Sequence, residues 1–225
     1  ELLAFLQNSP SCFHAVKNVT DMLTAAGFTE VKEEESWELK AGGRYFVTRN
    51  QSSVIAFKIP GKDFKGFQIM ASHSDSPAFK IKENPEIEAA HCIKLNVEKY
   101  GGMICAPWFD RPLSIAGRLV VSEESRLVSK LVNVDRDLVM IPNLAIHMNR
   151  QVNDGYAYNA QKDMLPVFGS LEAKGTFMSL MAEAAGVKEE DILGHDLFLY
   201  NRQPGTIWGA DETFLSCGRL DDLQC

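Results

Sequence analysis

The chain has 225 residues, enough for one large domain or two smaller ones. Hydrophobic residues make up 45% and charged residues 24%, a globular profile, and the net charge of −7 argues against general nucleic-acid binding. No apolar run approaches the ~20 residues of a membrane span, and no basic, signal-like region opens the chain.

Five cysteines, Cys12, Cys92, Cys105, Cys217 and Cys225, are odd in number and widely spread, with no Cys-x-x-Cys pair. That pattern fits a reduced, cytoplasmic chain rather than a disulfide framework. The histidines are His14, His73, His91, His147 and His195, and none forms a His-Glu-x-x-His helix motif. Any metal site must therefore draw its ligands from distant parts of the chain.

Leu2, Leu3, Phe5 and Leu6 predict a short helix closed by Asn8-Ser9-Pro10. Ser11 then opens a second helix, with Val16, Val19, Met22, Leu23 and Ala26 at helical spacing and Gly27 as its stop. His14 falls in its first turn, as a partly exposed helix residue. Glu33-Glu34-Glu35 reads as a solvated surface. Strands are expected over 44–49 and 53–59, with turns at Gly42-Gly43, Asn50-Gln51-Ser52 and Pro60-Gly61.

A third strand is expected from Phe67 to Ala71, buried, ending in Ser72-His73-Ser74-Asp75-Ser76-Pro77. His73 and Asp75 would then stand at the carboxyl end of a strand, where open α/β sheets usually place ligands. A neutral imidazole is the commonest protein metal ligand, and a carboxylate two residues on can hold its other nitrogen. Taken alone, the same residues also read as an ordinary polar loop.

After Pro85 the texture turns to β. Strands are expected over 95–100, 113–121 and 127–134, with the aromatic loop Pro107-Trp108-Phe109-Asp110-Arg111-Pro112 between the first two. Asp110 and Arg111 read as a structural ion pair. A helix-like piece is expected around Leu144 to Asn149, and a helix from Thr176 to Ala185 with Gly186 as its stop. His91 and His195 read as surface or packing residues. The strand at 196–200 is expected to return to the first domain, and Leu220 to Leu223 to begin a helix. The fold class expected is mixed α/β, with residues 1–85 and 195–225 in one domain and 86–194 inserted as a second.

The chain resembles the aspartyl aminopeptidases, the M18 metallopeptidases. The resemblance runs over nearly the whole chain. Its carriers are Ala71-Ser72-His73-Ser74-Asp75-Ser76-Pro77, Tyr100-Gly101-Gly102 and Trp108-Phe109-Asp110-Arg111-Pro112-Leu113. Ile141-Pro142-Asn143-Leu144-Ala145-Ile146-His147-Met148-Asn149-Arg150 and Arg219-Leu220-Asp221-Asp222-Leu223 complete the set. Five motifs in the right order are far more specific than any one.

The resemblance implies a zinc-aminopeptidase-like proteolytic domain interrupted by a β-rich dimerisation domain, with two zinc ions per complete site. His73 corresponds to a zinc ligand, Asp75 to the catalytic-site aspartate that orients it, and Asp221 to the carboxylate bridging the metals. His147 corresponds to the dimerisation-domain segment that reaches a neighbouring subunit's active site, where it would bind substrate. The family releases Asp or Glu from peptide amino termini and assembles from dimers into a dodecamer. Asp222 stands where the family usually has Asn, which would add negative charge near the metals. The family's general-base Glu, further metal-ligand carboxylates and a late His have no counterpart here, so the chain is expected to be the amino-terminal part of a longer protein. A non-catalytic assembly fragment, a pseudoenzyme and an aminopeptidase of another specificity remain the alternatives. Lacking those groups, the isolated chain is expected to hydrolyse no aminoacyl amide. Metal-dependent release of Asp from an Asp-amide by this chain alone would show otherwise.

Overall fold

In the computed structural model, which describes residues 1–61 and 63–220, the chain divides at Ser76/Pro77 and again at Gly218/Arg219. The first unit contains Glu1–Ser76 with Arg219–Cys225, and the second is Pro77–Gly218.

The first unit opens with α1 (Leu2–Gln7) and α2 (Cys12–Ala25), both as their spacing predicts. Ser11 has the extended backbone of a helix start, but its Oγ lies 2.8 Å from His14 Nδ1 instead of capping a helix N–H. Phe13 and Val16 form the buried stripe of α2. Gly27, at φ 79°, supplies the left-handed turn that ends it. A three-stranded sheet follows, β1 (Thr29–Glu30), β2 (Arg44–Arg49) and β3 (Ser53–Lys58), with β2 in the middle. The middle position explains why Tyr45, Phe46 and Val47 are buried in succession although neighbouring side chains point to opposite faces.

The expected strand from Phe67 to Ala71 does not form. Residues 64–73 carry no regular secondary structure, and Phe67, Ile69 and Met70 are 75%, 82% and 84% exposed. An apolar run becomes a strand only where another edge accepts its N–H and C=O groups, and no described strand pairs with this one.

The second unit is built on a six-stranded antiparallel sheet. Its strands are β4 (Ala78–Ala89), β5 (Cys92–Tyr100), β6 (Leu113–Glu123), β7 (Arg126–Asn133), β8 (Val167–Gly169) and β9 (Ile192–Asn201), in the order β7-β6-β9-β4-β5-β8. A separate hairpin joins β10 (Thr206–Trp208) to β11 (Phe214–Ser216). Alternate residues on the strands, including Phe79, Ile81, Leu95, Val97, Ile115, Leu119, Leu197 and Leu199, form one buried face. Helix α3 (Phe177–Ala185) adds Phe177 and Met181 to that core and ends at Gly186 in the left-handed conformation. Gly117 marks a close approach of β6 and β9: a Cβ there would lie 2.0 Å from the Asp196 carbonyl oxygen.

Two features of the second unit differ from the sequence expectation. Residues 85/86 and 194/195, the expected boundaries, lie inside continuous strands β4 and β9. Strand β9 does not return to the first unit. It pairs with β6 on one edge and β4 on the other, with Leu197 and Leu199 in the core. His195, on the same face of β9, is buried, and its ring nitrogens have no hydrogen-bond partner among the described residues.

Helix α3 begins without a cap from its own Thr176. The cap comes from β4 instead: Glu86 Oε1 accepts from the Phe177 N–H at 2.9 Å and Oε2 from the Gly175 N–H at 2.6 Å. These two bonds place a negative group at the positive end of the helix. Glu86→Ala is therefore expected to lower stability by about 1–2 kcal/mol in urea denaturation. An unchanged midpoint would mean that water replaces the carboxylate at no cost.

Burial pulls the His14 pKa down to about 4 and also lowers that of His195. Both imidazoles are thus held neutral in the folded chain, while in the unfolded chain they take up protons near pH 6.5. Stability is complete above that pH and falls as pH drops through the interval between the two pKa values. For His14 this interval runs from 6.5 to about 4. Between pH 7.5 and 5 the wild-type urea midpoint is expected to fall, and His14→Gln to fall less. Parallel curves for the two proteins would count against this account.

Candidate metal centre

The motif carrying His73 lies at the point where the chain leaves the first unit. Ser74 Oγ donates to the Ser52 carbonyl at 2.6 Å, in the turn between β2 and β3. Ser76 Oγ lies 3.5 Å from the Arg219 carbonyl, the outer limit of a hydrogen bond. Arg219 in turn donates through Nη2 to the Leu6 carbonyl at 2.8 Å. Hydroxyls on either side of Asp75 therefore tether the motif to the β2–β3 turn and to the late segment that re-enters the first unit at Arg219.

Within the motif, His73 Nδ1 is 2.8 Å from the Asp75 backbone oxygen and 3.2 Å from Asp75 Oδ1. Two oxygens facing Nδ1 assign the proton to that nitrogen, a tautomer inferred from its acceptors. A metal ion would then be held through Nε2, with the carboxylate raising the basicity of the ring. Both side chains are 39% exposed, within reach of an ion from solvent. The oriented neutral imidazole fits zinc, which takes His, Cys and carboxylate ligands. It is one ligand, not a complete set. Among the described residues no group of three or more His, Cys, Asp or Glu side chains gathers to hold a metal. Asp221, the expected bridging carboxylate, lies outside the described residues, two positions after Arg219.

His147 belongs to the second unit and is exposed. It does not sit in a helix. The Met148 N–H donates to the Ala145 carbonyl at 2.8 Å and the Asn149 N–H to that of Ile146 at 3.2 Å, which makes single turns only. Leu144, Ile146 and Met148 bury no common face, so nothing extends the turn into a helix.

Asp110 and Arg111 do not act as a mutual pair. Arg111 donates to Gln203 Oε1, while Asp110 Oδ1 accepts from the Asn143 N–H at 2.9 Å. The tethering roles of Ser74, Ser76 and Asp110 depend on partners far along the chain, which local pattern does not identify. The alternation of serines around His73 and Asp75 was the one available signal for the first two.

Comparison with known proteins places the chain in a family. The family model described as aminopeptidase I zinc metalloprotease (M18) matches residues 5–225. A protein of Clostridium acetobutylicum named as a probable M18 family aminopeptidase 2 is 47% identical, across 100% of this chain and 54% of its own length. Among solved structures, that of the Ape4 and Nbr1 complex matches with a TM-score of 0.92 and 34% identity, over 98% of this chain and 47% of that one. Chaetomium thermophilum mApe1 matches at 0.89 and 31%, over 98% and 54%. The S. cerevisiae mApe1 dodecamer matches at 0.81 and 26%, over 98% and 51%. The chain spans about half the length of the curated relatives it matches. These structures agree with the mixed α/β class expected from sequence. Matched by its model along all but the first few residues, the chain belongs to the M18 family of aminopeptidase I zinc metalloproteases.

Proposed function

We propose that the complete protein is a two-zinc aminopeptidase that releases Asp or Glu from the amino termini of peptides. It works in the cytoplasm, as a homo-oligomer assembled from dimers. The first unit is part of the proteolytic domain, and the second is the dimerisation domain. The observation that carries the reading is the His73–Asp75 pair, next to Ser76 and its contact with Arg219, inside a family match that covers them. The dodecamer of S. cerevisiae mApe1 supports the oligomeric part. No helix among the described residues is long and apolar enough to cross a membrane.

In this reading His73 would hold zinc, and Asp75 keeps its ring in the tautomer and orientation that binding needs. Asp221 would be a second residue to hold the zinc. Zinc, when bound, supplies a polarised carbonyl and a water whose pKa is lowered toward ~7. His147 from a neighbouring subunit meets the acidic side chain of the substrate. Its exposure and the open turn around it suit a contact outside its own unit. The general base and the remaining metal ligands come from residues beyond this sequence.

The test is to compare Asp-, Glu- and Leu-amides on the complete, zinc-loaded protein. Hydrolysis of the first two is expected to exceed that of the third and to stop on zinc removal. Asp75→Asn, which takes a charge from the atom facing Nδ1, is expected to cost about 10–100-fold in zinc affinity or activity. Equal or faster hydrolysis of the Leu-amide would overturn the acidic specificity. A complete protein that binds no zinc would overturn the mechanism.

A further inference from the structure

Two neighbouring residues hold both ends of the exposed segment that carries His147. At its start, Asp110 Oδ1 accepts from the Asn143 N–H at 2.9 Å, and the Asp110 N–H donates to the Ile141 carbonyl at 3.0 Å. Ile141 is fully buried and forms a parallel bridge with Phe109. At its far end, the Phe109 ring packs on Tyr158 with centroids 5.0 Å apart, and Tyr158 meets Tyr156 at 5.2 Å. Between these two clamps the chain makes only single turns and a short 3-10 stretch at Val152–Asp154. Leu144 and Met148, on either side of His147, are 61% and 75% exposed.

The backbone of Asp110 is in the left-handed region, at φ 57°. Most L-residues avoid that region, Asp and Asn tolerate it, and glycine adopts it at no steric cost. The backbone alone would thus be served best by glycine. What the aspartate adds is its carboxylate on the Asn143 N–H, four residues before His147. An unfavourable backbone conformation retained for a side-chain contact is the kind of outlier from which a functional role is argued.

We propose that Asp110 is a positioning residue: by holding the Asn143 N–H it fixes the start of the 143–156 segment and so aims His147 at an acidic side chain of the substrate. The proposal rests on the reading of His147 given above. In this proposal Asp110 acts through His147, by way of the Asn143 N–H. Phe109 holds the opposite end of the same segment, so one short turn sets both anchor points and leaves the span between them free to reach outward.

The experiment uses the complete protein with His147→Ala, Asp110→Gly, Asp110→Asn and the double variant of the first two. Two quantities are read: the ratio of kcat/KM on Asp-amide to that on Leu-amide, and hydrogen exchange across 143–156. Asp110→Gly keeps the left-handed backbone and loses the acceptor. It is expected to raise exchange at Asn143 and to lower the Asp/Leu ratio by about tenfold, with the Leu-amide rate little changed. Asp110→Asn keeps an acceptor oxygen and is expected to restore most of the ratio. The double variant is expected to be no worse than His147→Ala alone, since the two act through one group. A lowered ratio in His147→Ala with an unchanged ratio or unchanged exchange in Asp110→Gly overturns this inference alone. A parallel loss on both amides in Asp110→Gly overturns it as well, since that is the mark of a general structural role. An unchanged ratio in His147→Ala removes the reading of His147, and the inference falls with it.

Discussion

The pairing of β9 with β6 on one edge and with β4 on the other joins residues far apart in the chain, Leu113 with Asn201 and Lys80 with Phe198. On the buried face, Leu197 and Leu199 enter the core. On the opposite face, Asp196 accepts from Lys80 at 2.9 Å and from Arg118 Nε and Nη2 at 3.0 and 2.9 Å. Partial burial opposes the charge on Asp196, but hydrogen bonds from Lys80 and Arg118 outweigh it and hold the carboxyl below its usual range. Three strands from three parts of the chain are thus pinned by packing on one side and by charge on the other. Strand β9 joins the two halves of the second sheet, and further along the chain Arg219 begins the return to the first unit.

That chain path bears on the candidate centre. The first unit is left at Ser76 and re-entered at Arg219, whose carbonyl lies 3.5 Å from Ser76 Oγ. An insertion of this length can be accommodated because its two ends lie side by side, and the loop-closure cost grows only slowly with length. The His73 motif and the approach to Asp221 meet for this reason. Each is held by contacts that do not involve a metal: Ser74 to Ser52, and Arg219 to Leu6. A ligand oriented before the ion arrives loses less freedom on binding it.

Where pattern and partner coincided, the sequence was legible. The helices at 2–7, 12–25 and 177–185 follow from apolar spacing and from Gly27 and Gly186 at their ends. Strands β2, β3, β5, β6 and β7 follow from short apolar runs between turn residues. Where the partner was distant, the same rules failed. Phe67 to Ala71 has the composition of a buried strand and, among the described residues, no strand to pair with. Leu144 to Asn149 has helical spacing but no surface on which to bury it. Strand β4 runs on past Pro85 because the register shift between Ile81 and Glu86 accommodates the ring there, and the same shift accompanies the Glu86 cap on α3. Asp110 and Arg111, adjacent in sequence, bond to Asn143 and Gln203 instead of to each other.

By itself the sequence determined the family, through five motifs in order. It also determined the local elements and the chemical identity of His73 and Asp75, whose interaction spans two residues and so depends on little beyond local geometry. Tertiary structure alone decided that β9 lies at the centre of the second sheet. It also decided that α3 is capped from β4, that Ser76 meets Arg219, and that one turn at Phe109-Asp110 clamps both ends of the His147 segment. The physical reason is common to all four. Local patterns state what a residue needs, a buried face or a hydrogen-bond partner, but not which distant residue meets that need. The partner is chosen by the one chain path that satisfies buried polar groups and packs the core together.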